Sequence, residues 1–262
     1  MPSVFHPTNR PVFILWEFDM SLQQWWSRMG DRMVPVLTVV NAGMFVLSIL
    51  LNPFETSFDL HPFSLLAPDH KSLVLLGATG TIPIDRFHRW WSLVSAGYLH
   101  GGLLHLLFNM AALHQLGALI LGGFGPARMM VIYTVGGIAG FLASYLAGIG
   151  LTIGASASLC ALMGAGMYLG KSVGGYSGQT VFRQIGTWAL GIFAFGFLVP
   201  GINNWGHAGG LIGGILVAAA LRHRRLAPDN QAANLLGAFC ATATGGILVY
   251  AVATSLMYRI YS

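Results

Sequence analysis

Residues Gly154-Ala155-Ser156-Ala157-Ser158 open an apolar stretch and place a small hydroxyl on its first turn. A serine surrounded by hydrocarbon packs a helix, bonds a carbonyl, or serves as a nucleophile, and the last use needs a base beside it. The sequence supplies a candidate base in Gly206-His207-Ala208-Gly209-Gly210, followed by Gly213-Gly214. A helix with so few side chains on one face lets a neighbour press close enough for a serine oxygen to meet the imidazole. His105 and Asn109 are four residues apart and share a helical face. Both can donate to one developing negative charge, as oxyanion-hole groups do.

Each of these residues has a plainer use. Gly154 and Ser158 form a small-xxx-small pair around Ser156, which suits helix packing. His105 and Asn109 could make two interhelical hydrogen bonds, and His100 is placed where an interfacial histidine needs no special role. His207 is the hardest to explain as packing, because an intramembrane histidine usually faces a partner or a watery cavity. His114 falls mid-span and is given no role.

The composition says where these residues sit. Of 262 residues 55% are hydrophobic and only 8% charged, with a mean hydropathy of +0.68, whereas a soluble domain carries roughly a quarter charged residues. The chain is read as an integral membrane protein, and its 35 glycines suit close helix packing in lipid. The net charge of +5 says nothing about nucleic acid, since most cations lie in short loops beside apolar spans, and no nucleic-acid partner is expected. Cys160 and Cys240 both fall inside spans, so no disulfide is expected. The apolar run 11–16 is too short for a cleaved signal peptide and stops at Glu17.

Seven apolar spans are predicted at 34–52, 101–122, 127–148, 154–171, 185–200, 206–222 and 233–257, each near the roughly 20 residues a bilayer crossing needs. The expected organisation is a tail over 1–33, a six-helix core over 34–222, and a link with one further helix over 223–262. The tail's Phe13, Trp16, Phe18, Trp25 and Trp26 suggest a segment lying on the membrane surface. The long loop 53–100 contrasts with the short links elsewhere. Lys and Arg number nine on the tail's side against four on the other, which places the N-terminus in the cytoplasm and the C-terminus outside. Spans two, four and six then run in one direction. His100, His105, Asn109, Ser156 and His207 all come at their starts, so five polar side chains share one depth.

All eight acidic residues lie in the tail, the long loop or the link 222–232. No carboxylate in a span can orient His207, so a serine enzyme here would work with a Ser–His dyad in place of a triad. The same absence argues against a metal site, and no cofactor is expected.

Taken in order on alternate spans, His100-x4-His105-x3-Asn109, Gly154-x-Ser156-x, and His207 with Gly210 and Gly214 make the chain resemble the rhomboid family of intramembrane serine proteases, over roughly 34–222. The resemblance implies Ser156 as nucleophile, His207 as general base, His105 and Asn109 in the oxyanion hole, and His100, Gly154, Gly210 and Gly214 as site-shaping positions. It implies an all-α six-helix transmembrane bundle with a membrane-dipping first loop, the seventh span being an added C-terminal helix. Three positions depart from the family pattern: Trp91-Ser92 replaces a Trp-Arg pair, Cys160 stands where some members carry an aromatic under the histidine, and Ala157 follows the nucleophile in place of glycine.

The expected activity is endoproteolysis of transmembrane segments near the outer face of a bacterial inner membrane. The partners would be transmembrane substrates and the lipid bilayer. A catalytically silent relative that binds and escorts membrane proteins is the main rival. A transporter or channel using the histidines would need polar groups continuing to the inner face, and beyond His114 and Cys160 these are sparse.

Overall fold

The described chain begins with a reciprocal cap. Ser21 Oγ accepts from the Gln24 amide (3.3 Å) and Gln24 Oε1 from the Ser21 amide (3.0 Å), which starts helix α1 (Leu22–Met29). The computed structural model describes residues 21–57, 65–222 and 231–261. The expected surface aromatics Phe13, Trp16 and Phe18 lie outside the described residues. α1 turns Trp26 inward, where its Nε1 donates to the Asn234 carbonyl at 3.0 Å, and leaves Trp25 exposed. Helix α2 (Met33–Leu51) follows. The long loop then folds into α3 (His70–Leu75), α4 (Thr81–Phe87) and α5 (Ser92–Ser95). Asp69 caps α3 by accepting from the Ser72 amide at 3.3 Å.

The two expected spans 101–122 and 127–148 form two helical arms that meet at a non-helical Gly125 and together make α6 (Leu103–Leu146, 44 residues). If straight, it would be about 66 Å long at 1.5 Å per residue, roughly twice the hydrocarbon thickness. Gly125 prevents that, with φ 77° and ψ 169° inside the run, a conformation that side-chain-bearing residues avoid. Pro126 restarts the helix without needing a donor. Carbonyls at the end of the first arm lose their helical partners here, and the buried Arg128 guanidinium donates back to Phe124 O (3.3 Å). The arms therefore form a hairpin. The first packs beside the N-terminal half of α2 and the far end of α7 (Ser156–Val173); the second returns along α7.

Three helices complete the chain: α8 (Gly175–Leu198), α9 (Asn204–Leu221) and α10 (Gln231–Tyr261). α8 begins ten residues before the expected span, because the chain reverses at Gly174-Gly175 and its polar first turns are helical too. α2, α6, α8, α9 and α10 are long and apolar enough to cross a membrane. With two arms in α6 and with α7 between them, the chain is an all-α, multi-pass membrane protein. α7 is less apolar for a physical reason. Every residue from Ala157 to Gly166 is buried, so it meets protein on all sides and uses small residues instead of lipid-facing ones.

Among the described residues there are two isolated bridges, and one of them anchors the loop. Thr79 and Thr152 exchange backbone bonds of 3.0 and 2.7 Å, and Thr81 and Ile82 donate to Ile149 and Gly150. Ser92 Oγ donates to Thr79 Oγ1 (2.8 Å) and Ser95 Oγ to Gly77 O (2.9 Å). The loop is thereby fastened to the link that leads into α7.

Candidate active site

Ser156 is the first residue of α7, at the helix end where backbone N–H groups have no intrahelical partner. His207 lies in the first turn of α9. The two helices meet along Gly210 and Gly214: a methyl group at Gly210 would overlap the Ala157 carbonyl oxygen, and one at Gly214 the Ala161 carbonyl oxygen. That backbone contact puts His207 Nε2 3.1 Å from Ser156 Oγ. His207 is buried, while Ser156 keeps partial exposure. Ser158 faces the other way, against Gly137 in the second arm of α6, and is buried.

His105 comes from the first arm of α6 and packs on Gly154, which has φ 124°. A Cβ at Gly154 would lie 2.9 Å from the His105 ring and 3.5 Å from Ser156 Oγ. Glycine is needed there for both backbone and space. His105 Nδ1 accepts from the Gly101 amide (3.3 Å), so its Nε2 carries the proton. Asn109 is buried one turn on, and its Nδ2 donates to the His105 carbonyl at 2.8 Å. The structure thus gathers Ser156, His207, His105 and Gly154, and ties Asn109 to its own helix. His100 is fully buried with its ring centroid 5.0 Å from that of His105, and neither of its nitrogens has a partner among the described residues. His114 Nε2 lies 3.4 Å from Thr38 Oγ1, well away from this cluster.

Two asparagines complete the site, and sequence reasoning passed over both. Asn203 caps α9, its Oδ1 accepting from the Gly206 amide (3.1 Å). Its Nδ2 reaches Ser144 Oγ (2.7 Å) and Thr152 Oγ1 (3.0 Å), which fixes the start of α9 to α6 and to the loop-bearing link. Asn204 Oδ1 stands 3.3 Å from His207 Nδ1. Its other end, Nδ2, donates to the Phe193 carbonyl of α8 at 3.2 Å. An amide oxygen only accepts, so Nδ1 of a neutral His207 holds the proton and Nε2 offers its lone pair to Ser156. The signal was present in the sequence: Asn203-Asn204 follows Pro200-Gly201 as a helix start, and Asn204 is three before His207 on the same face. An aromatic also approaches the imidazole, from a helix other than the expected one. The Phe193 ring stands nearly perpendicular to that of His207 with centroids 6.3 Å apart, while Cys160 packs beside Gly210.

Among the described residues, no group of three or more His, Cys, Asp and Glu is placed to hold a metal ion. Asp69 and Asp85 are engaged elsewhere, by Asn52 (3.2 Å) and Tyr145 (2.9 Å).

The family model for the rhomboid domain matches residues 88–224, which include every member of this cluster. The chain belongs to the rhomboid family. It is 34% identical over 192 residues to the rhomboid protease GluP of Bacillus subtilis (strain 168), a stretch covering 72% of this chain and 35% of that protein. It is 28% identical over 203 residues to RHOMBOID-like protein 1 of Arabidopsis thaliana, covering 71% of this chain and 52% of the relative. It is also 31% identical over 153 residues to the inactive RHOMBOID-like protein 8 of the same plant, covering 56% and 43%. The chain thus spans only a third to a half of the length of these relatives. Rhomboid kinship therefore includes both a named protease and a named inactive member.

Proposed function

We propose that this rhomboid is an intramembrane serine endopeptidase that cleaves transmembrane segments near the outer membrane face. The observation that carries the reading is the 3.1 Å approach of Ser156 Oγ to His207 Nε2, within reach for proton transfer. Ser156 attacks the scissile carbonyl as Nε2 takes its proton, and the imidazolium then protonates the leaving amine. The Ser156 amide at the start of α7, with His105 and Asn109, receives the oxyanion. One Asn109 amide hydrogen is held by the His105 carbonyl, and the second is the one offered to the oxyanion. His100, Gly154, Gly210 and Gly214 shape the site without touching the reacting atoms.

The site lies at the end of the bundle where the loop is bonded to the link into α7. A helical substrate hides its carbonyls in its own hydrogen bonds, so it must unwind to present one; segments weakened by Gly or Pro are the expected partners. The cation count of nine against four supports a cytoplasmic N-terminus with this end facing outward, and the proposed location is a bacterial inner membrane.

Escort without catalysis is the second reading, favoured by the kinship with an inactive relative. One experiment separates them. Purified protein in detergent is incubated with a model transmembrane substrate, beside a folded Ser156→Ala variant. Cleavage by the first and none by the second supports the protease; binding without cleavage by either supports the escort.

A further inference from the structure

We infer that Asn204 is a positioning residue that sets the His207 tautomer, and that it does so only while the outer half of α8 is seated against α9. The inference rests on the protease reading above. Asn204 is a two-ended amide between a helix carbonyl and the imidazole. The Phe193 carbonyl can only accept, so it holds Nδ2 toward α8 (3.2 Å), and this turns Oδ1 toward His207 Nδ1 (3.3 Å). Gly196 completes the seat, since a side chain there would overlap the Asn204 amide.

α8 buries few side chains at this end. Its buried residues, Gly178, Ile185 and Ala189, all precede position 190, whereas Leu190, Phe197 and Leu198 are exposed. Displacing this half of α8 removes the acceptor that orients Nδ2. A freed amide can rotate and present its NH2 group to Nδ1. His207 then carries its proton on Nε2, facing Ser156, and cannot accept the serine proton. The position of α8 is thus linked to whether His207 can act as a base.

The test compares wild type, Asn204→Ala, Asn204→Asp and Gly196→Val by two readouts. One is kcat and KM on a transmembrane substrate. The other is the ring 15N shifts of His207 at a pH where it is neutral, which report the tautomer without turnover. In wild type the Nδ1–H form should dominate. Asn204→Ala and Gly196→Val should both lose that preference and lower kcat by roughly tenfold or more with KM little changed, as for a misplaced general base. Asn204→Asp keeps an acceptor for Nδ1 and should retain the tautomer and most of kcat. Unchanged tautomer and kcat in Asn204→Ala would overturn the inference. If that variant does not fold, Gly196→Val decides alone, and wild-type behaviour in it would overturn the link to α8. A wild-type protein that cleaves nothing would sink the protease reading, while the tautomer measurement would still judge Asn204.

Discussion

Two hydroxyls two residues apart separate chemistry from packing. Ser156 points at His207, whereas Ser158 is buried against Gly137. Ser158→Ala should therefore keep appreciable activity while altering only packing; its complete inactivation, with folding intact, would mean that the nucleophile has been misassigned. Asn109 gives a second test at a single side chain. Its amide serves a charge that exists only near the transition state, so Asn109→Ala should lower kcat by roughly 10²–10³-fold with little change in KM. A raised KM with kcat intact would make it a substrate-binding or packing residue. Ser156, His207 and His105 were legible because each is a polar side chain near the start of an apolar span, and Gly154 because it leads into one. Asn204 was not, because asparagine before a helix reads first as a cap, and its bond to Nδ1 depends on an α8 carbonyl eleven residues earlier.

The helices place the dyad through bare backbone contact. α7 and α9 touch where Gly210 and Gly214 meet the Ala157 and Ala161 carbonyls. Gly214→Leu should push them apart, lengthening the Ser156–His207 approach and costing stability by about 1–3 kcal/mol or more, as overpacking does. The check is a thermal melt beside an activity assay; a fully active, equally stable variant would show that α7 and α9 need not be this close. The apolar spans themselves were readable from hydropathy. The break expected at Gly125-Pro126 is there: Gly125 is non-helical and separates two helical arms, since a single positive-φ residue suffices to reverse the axis. The early start of α8 was missed because its first turns are polar, and helical hydrogen bonding does not require apolar side chains.

Over the whole molecule, among the described residues, no Asp or Glu side chain is bonded to His207, whose ring nitrogens meet Asn204 and Ser156. Of the acids within the described residues, Asp69 caps α3 and binds Asn52, and Asp85 binds Tyr145. Neither faces His207; Asp59 lies outside the described residues. Replacing each of the eight acids by Asn or Gln, with folding checked, should leave cleavage largely intact. A loss as complete as that in His207→Ala at any one of them would show a carboxylate reaching the imidazole, and a triad in place of the dyad. Part of the architecture was open to sequence reading because membrane crossing forces long apolar helices. The docking of the loop onto the link before α7 was not, as it uses backbone groups of Thr79, Thr81 and Ile82 that no side-chain pattern announces.

The central claim is that His207 activates Ser156, and covalent trapping tests it without any choice of substrate. Detergent-purified protein is treated with a fluorophosphonate, and the modified residue is located by peptide mass spectrometry. Phosphonylation should fall on Ser156 and should be lost in a folded His207→Ala variant. Modification of a different serine, or undiminished labelling of Ser156 without His207, would contradict it.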